Sequence, residues 1–199
     1  ERRAVNKDFL QKNADYFGAD AFKVAFDDNG KAAINDWVKN KTNGSIDSIL
    51  DEIDKDSMMF LINALTFESE WQNQYSEMSV SSATFKGYDQ NYSVEMMKST
   101  EDMYIEYGGA TGFIKPYKDA NYLFVALLPN ENITLSRYAE TLNGEKLKNT
   151  IESASETTVY ASLPKFNFKY SFTADEILKK NGAGLAFDQE KANFSAMGK

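Results

Sequence analysis

Ten consecutive residues, Met58-Met59-Phe60-Leu61-Ile62-Asn63-Ala64-Leu65-Thr66-Phe67, limit most strongly what this chain can fold into. They are nearly all apolar and do not alternate with polar positions. A strand with one wet face would alternate with a period of two. This run therefore predicts a strand covered on both faces. It is too short to cross a bilayer as a helix. Asn63 is the one strongly polar side chain inside it. A buried amide must find partners, so Asn63 is expected to bond across to a neighbouring strand.

A run of that kind needs a real core around it, and 199 residues with a hydrophobic fraction of 42% can build one. The formal net charge of −8 opposes nucleic-acid binding, which needs a basic field around phosphates. No run reaches the length of a membrane helix. The chain starts at Glu1 with no initiator Met and no signal peptide. It is therefore expected to be mature, trimmed or excised, with targeting information lost. There is no Cys and no His. Disulfides, thiolate nucleophiles, imidazole bases and the usual zinc sites are excluded within these residues. Asn-x-Ser/Thr sequons occur at Asn40, Asn43, Asn91, Asn132 and Asn193. They read as chance in an Asn-rich and Ser-rich chain and would matter only in a eukaryotic secretory host.

Periodicity supplies the other elements. Val5 to Tyr16 reads as a helix ended by Gly18. Ala21 to Asp27 reads as a short strand. Ile34, Trp37, Val38 and Lys41 fit an amphipathic helix stopped by Asn43-Gly44. Ile46, Ile49, Leu50 and Ile53 have the spacing of a further helical turn or two. Short strands are expected at Ala83 to Phe85, Ser93 to Lys98, Met103 to Tyr107, Phe113 to Tyr117 and Tyr122 to Leu128. Two helices follow, one bearing Leu135, Tyr138, Ala139 and Leu142, the other Leu147, Ile151 and Ala154, with Asn143-Gly144 between them. Thr158 to Phe172 reads as a strand with Pro164 as a bend or edge position. In it Phe166, Phe168, Tyr170 and Phe172 alternate with polar residues. Thr173-x-x-Glu176 has the form of a capping box before Ile177-Leu178, and Asn181-Gly182 ends that helix. The pattern is α+β and mostly antiparallel, with residues 1–199 as one domain.

Few constellations suggest chemistry. Glu68 and Glu70 sit two apart at a strand end and point the same way. Carboxylates at that spacing lie ~6–7 Å apart, near the separation used by inverting glycosidases, and nearby Tyr and Trp could stack on sugars. A solvated or salt-bridged pair is the alternative. Asp51, Glu52, Asp54 and Asp56 form an acidic cluster, but the glycine and distal Glu of a calcium loop are missing. Gly108-Gly109 and Gly112 do not follow a strand-to-helix pattern, so they are not phosphate cradles. Nothing here supports an enzyme.

The ordered set of motifs resembles the serpin family across essentially the whole chain. Ala21 to Asp27 is similar to the first strand of that family's large sheet. Ile34-Asn35-x-Trp37-Val38 and Thr42-x-Gly44-x-Ile46 resemble helix F and its exit. Leu61-x-Asn63-Ala64-x-x-Phe67-x-x-x-Trp71 resembles the third strand of that sheet, ending in the breach. Phe85 and Val94-x-Met96-Met97 resemble a hairpin of the small sheet. Pro116-Tyr117 and Leu127-Leu128-Pro129 resemble the buried barrel-like sheet. Leu163-Pro164-Lys165-Phe166 and Leu178-x-x-x-Gly182 lead to Phe187 and Asn193-Phe194-Ser195-x-Met197. Glu68-Ser69 stand where Lys-Gly is usual, reversing the local charge at the breach. Asn193 stands where Asp is usual and Ala196 where Gly is usual.

The resemblance implies a serpin-like fold of mixed, mostly antiparallel sheets with flanking helices, present as a partial domain. Four helices and the second large-sheet strand would precede Glu1, and the reactive-centre loop would follow Lys199. The first, third and sixth large-sheet strands are present but are not neighbours in the family fold. Taken alone, such a piece would expose the backbone of its most apolar strand. The implied activity is protease inhibition by insertion of a bait loop, with no catalytic residue, cofactor or metal in these residues. The implied partner is a serine or cysteine protease, reached through a loop outside this chain. No nucleic-acid or membrane partner is implied. The rest of the parent chain, or another subunit, is expected to complete the fold. Family habit suggests an extracellular or cell-surface location, although intracellular members exist. A non-inhibitory serpin-fold carrier or chaperone, and an unrelated carbohydrate-binding domain, are the alternatives.

Overall fold

The computed structural model describes residues 4–54 and 56–198. They fall into two compact units, Glu1–Phe67 with Tyr170–Lys199, and Glu68–Lys169.

The first unit begins with helix α1, Lys7–Phe17. Asn6 caps it by accepting from the Asp8 N–H, and Gly18 closes it at φ 59°, a left-handed conformation that glycine adopts without strain. The backbone N–H of Asn6 donates to the Met197 carbonyl at 2.9 Å, which ties the start of this unit to its end. Helix α2, Asp28–Lys41, is capped by Asp27, whose carboxylate accepts from Asn29 and Gly30 N–H. Its inward stripe is Gly30, Ile34 and Val38. Gly30 is obligatory there: a Cβ would lie 1.7 Å from the Ala25 carbonyl oxygen. The helix thus presses on the backbone of residues 21–27. Trp37 meets Phe22 edge-on, with ring centroids 6.4 Å apart.

The exit of α2 is held by Thr42, whose fully buried hydroxyl donates to the Val38 carbonyl at 2.8 Å and accepts from the Ile46 N–H at 3.1 Å. Asn43 and Gly44 then turn the chain at positive φ. Residues 46–53 are not helical, contrary to their apolar spacing. The reason is Asn35. Its amide oxygen accepts from the N–H groups of Ile49 and Leu50, both at 3.0 Å, and its amide nitrogen donates to the Leu50 carbonyl at 2.9 Å. A side chain on α2 thereby satisfies backbone groups that a helix would have paired internally.

The second unit is built on one antiparallel sheet. Strand β1 is Val80–Lys86, β2 is Asn91–Tyr107, β3 is Ala110–Pro116, β4 is Leu123–Pro129 and β5 is Ser155–Pro164. The two strands expected at 93–98 and 103–107 are one continuous β2. Its residues 91–97 pair with β1, 103–107 with β3, and 96–104 with β5. Because these ranges overlap, β1 and β3 share one edge of β2 and β5 takes the other. Pairing on the β5 side carries β2 across the gap between β1 and β3. The register slips by one residue between Glu101↔Val159 and Met103↔Glu156, a bulge that adds local twist. Gly108 and Gly109, at φ 59° and 85°, form the tight β2–β3 turn. Positive φ at both central positions is what a two-residue hairpin of this twist requires.

Helix α3, Leu135–Thr141, sits at that turn. The Tyr138 hydroxyl donates to the Tyr107 carbonyl, and the Tyr107 hydroxyl donates to the Thr141 carbonyl, each at 3.2 Å. Burial raises the Tyr138 phenol above its ordinary value. Asn143 starts helix α4, Gly144–Glu152, by accepting from Glu145 and Lys146 N–H. Asn143-Gly144 is therefore a cap as well as a break. Strand β5 stops at Pro164, and residues 165–174 join no ladder among the described residues, so the expected strand to Phe172 is cut short. The helix before Asn181-Gly182 is only Asp175–Leu178 and has no side-chain cap, so the capping box at Thr173 does not form. Gly182, at φ 98°, does interrupt the helical path.

Candidate functional site

The apolar run is the feature the fold leaves unfinished. Residues 58–67 form neither helix nor ladder among the described residues. From 61 to 65 burial alternates. Ile62 and Ala64 are half-buried, while Leu61, Asn63 and Leu65 face outward, Leu65 with 87% of its surface exposed. The run predicted cover on both faces, but the described residues cover one. Asn63 is correspondingly exposed and, among the described residues, does not bond across to a neighbouring strand. Phe26 stacks on Phe60 at 5.4 Å, which sets the run beside residues 21–27 and, through Gly30 and Ala25, beside α2. Outward apolar side chains together with unpaired strand backbone make a template for another strand.

The chain leaves this run through Glu68-Ser69-Glu70-Trp71, which belongs to the second unit. Beyond Ile114 strand β3 parts from β2, and Glu70–Gln72 takes that edge. Trp71 bridges to Tyr117, the Gln72 N–H donates to Pro116 O at 3.1 Å, and the Lys118 N–H donates to Glu70 O at 2.8 Å. The Trp71 indole stacks on Tyr117 with centroids 4.6 Å apart. Phe124 and Tyr75 meet it edge-on at 5.5 Å and 6.4 Å. These offset and perpendicular arrangements are the ones ring quadrupoles favour.

Two of the acidic candidates, Glu70 and Asp54, have local partners. The Lys118 ammonium donates to Glu70 at 2.6 Å. That hydrogen bond, then the charge of Lys118, holds the Glu70 carboxyl below its ordinary value, and the reciprocal contacts raise Lys118. A general acid of a glycosidase needs its carboxyl raised, so Glu70 lacks that signature. In the acidic cluster, Asp54 accepts from the Asp56 N–H at 2.8 Å, a local turn. Among the described residues no group of three or more acidic side chains is placed to hold a metal ion. Gly108 and Gly109 are spent on the hairpin turn.

One pair was not anticipated. Lys115 and Glu101 are ion-paired at 2.7 Å with side chains 2% and 3% exposed. The available signal was Lys115, a charge inside the otherwise apolar stretch Phe113 to Tyr117; Glu101 falls between the strands expected at 93–98 and 103–107 and carried none. Among the described residues no helix is long and apolar enough to cross a membrane.

Comparison with known proteins places this architecture. The family model for Serpin (serine protease inhibitor) matches residues 1–199. Serpin B10 of Sorex araneus is 32% identical over 200 residues, covering 95% of this chain and 50% of that protein. Serpin B8 of Homo sapiens is 28% identical over 201 residues, covering 96% and 53%. The chain thus spans about half the length of the curated relatives it matches. Among solved structures, the thermophilic serpin tengpin in its latent state is 47% identical with a TM-score of 0.94 over all of this chain and 54% of its own. The same protein in its native state gives 46% and the same TM-score of 0.94. The expectation of secretion draws no support from B-type relatives. A family match over every residue, joined to a shared fold, means that this chain belongs to the serpin family.

Proposed function

We propose that these residues are the receiving part of a serpin-type protease inhibitor, one partial domain whose apolar run accepts an inserted strand. The observation that carries this reading is the stretch 58–66: apolar, with Leu61 and Leu65 facing outward, and joining no ladder among the described residues. Insertion of a reactive loop into a sheet is an established mode for the family. A target protease attacks a bait loop outside these residues. Its serine or cysteine forms an ester or thioester with the loop carbonyl carbon, and the amine half of the cut peptide leaves. The loop then enters beside residues 58–67, gaining ladder hydrogen bonds and buried apolar surface. No residue of this chain performs a chemical step. The equal TM-scores against a latent and a native serpin fit a frame shared by both named states.

The test is to incubate the full-length protein with a panel of serine and cysteine proteases. Covalent complexes that survive SDS are expected. Their absence across the panel, with a melting temperature unchanged by bait-loop cleavage, would move the assignment to a non-inhibitory serpin-fold carrier or chaperone. The carbohydrate reading loses its main support in the Glu70–Lys118 pair. Binding on a glycan array would revive it.

A further inference from the structure

Strand insertion beside residues 58–67 makes no use of the Lys115–Glu101 pair, yet that pair is among the most buried in the protein. Removing two charges from water is costly, and an apolar pair of similar volume often serves stability as well or better. The ammonium, however, has other partners. Lys115 Nζ lies 4.8 Å from the ring centroid of Tyr75 and 5.7 Å from that of Trp71. Both distances fall in the range where a ring face attracts a cation, more strongly when water is excluded. The Tyr75 hydroxyl is buried and has no hydrogen-bond partner among the described residues, so ring contacts hold this side chain in place. One ammonium therefore meets both aromatic side chains of the segment 68–75, while Glu101 on β2 accepts from that ammonium at 2.7 Å.

We propose that Lys115 is a positioning residue, an electrostatic latch that holds Trp71 and Tyr75, and with them residues 68–75, against the end of β3, with Glu101 as its anchor. The latch fixes the segment that follows the apolar run in the chain. Releasing it frees the segment while the β3–β4 ladder stays intact. An ordinary core ion pair would instead affect the whole unit at once.

Amide hydrogen exchange by NMR separates the two. The reporters are the Gln72 and Lys118 N–H groups, which bond Pro116 and Glu70 across the latch. The reference is the ladder between β3 and β4. In Lys115→Met, protection of the two reporters should fall about tenfold more than that of the ladder. In the Glu101→Leu/Lys115→Met double variant, an apolar pair replaces the ionic one. Ladder protection and melting temperature should then return while the reporters remain fast. Recovery of the reporters in step with the ladder would overturn the proposal. Should Lys115→Met not fold because Glu101 is left buried and unpaired, the double variant decides alone.

Discussion

A single hydroxyl closes α2. Thr42 is wholly buried and serves the Val38 carbonyl and the Ile46 N–H at once. Valine would match its shape and leave the Ile46 N–H unpaired, while the Val38 carbonyl keeps its bond from the Thr42 N–H at 3.0 Å. Thr42→Val should therefore cost roughly 1–3 kcal/mol, read as a lower midpoint in denaturant melts with an unchanged slope. The Glu70–Lys118 pair behaves differently because it is exposed. A carboxyl lowered on folding contributes stability above its unfolded value, and that contribution is lost as pH falls through the lowered one. Water and salt screen such a pair, so its contribution to stability is small. The clear readout is titration: carboxyl carbon shifts should place Glu70 below ordinary glutamates, and Lys118→Met should return it towards them. No return would mean that Lys118 is not the cause.

At the scale of elements, helix stops and starts at glycine and asparagine are legible locally, whereas the local capping box at Thr173 does not form. Gly18, Asn43-Gly44, Asn143-Gly144 and Gly182 each stop or start a helix by backbone geometry that needs only nearby residues. Elements that depend on distant partners were misjudged. Residues 46–53 carry a helical apolar spacing, but Asn35 on a different element claims their backbone. β2 looked like two strands, and only its pairing with β5 joins them. The Glu101–Lys115 pair joins strand positions that no local pattern relates. Gly30 tests this element-level account. Gly30→Ala would put a Cβ into the Ala25 carbonyl, so α2 must move off residues 21–27. A loss of about 1–3 kcal/mol is expected, with Trp37 changing its contact with Phe22 as seen in aromatic NMR shifts. A neutral or stabilising effect would contradict the observed close approach.

Across the whole molecule, three stretches that read as strands, 21–27, 58–67 and 166–172, join no ladder among the described residues. The alternation of 166–172 is legible in the sequence, and its ring pairs Phe166–Phe168 and Tyr170–Phe172 still share a side. What they pair with is not legible, since none of them joins a ladder among the described residues. Exposed apolar strands invite self-association. The Leu61→Lys/Leu65→Lys variant should therefore raise the concentration at which this chain aggregates, measured by light scattering. Unchanged aggregation would place the sticky surface elsewhere. The central claim, that residues 58–67 receive a strand, is tested most directly by hydrogen exchange of their amides in the full-length protein before and after bait-loop cleavage. Every second amide from Met58 to Phe67 should gain strong protection, because successive N–H groups of a strand point to opposite edges. Unaltered exchange along the whole run after cleavage would contradict the account.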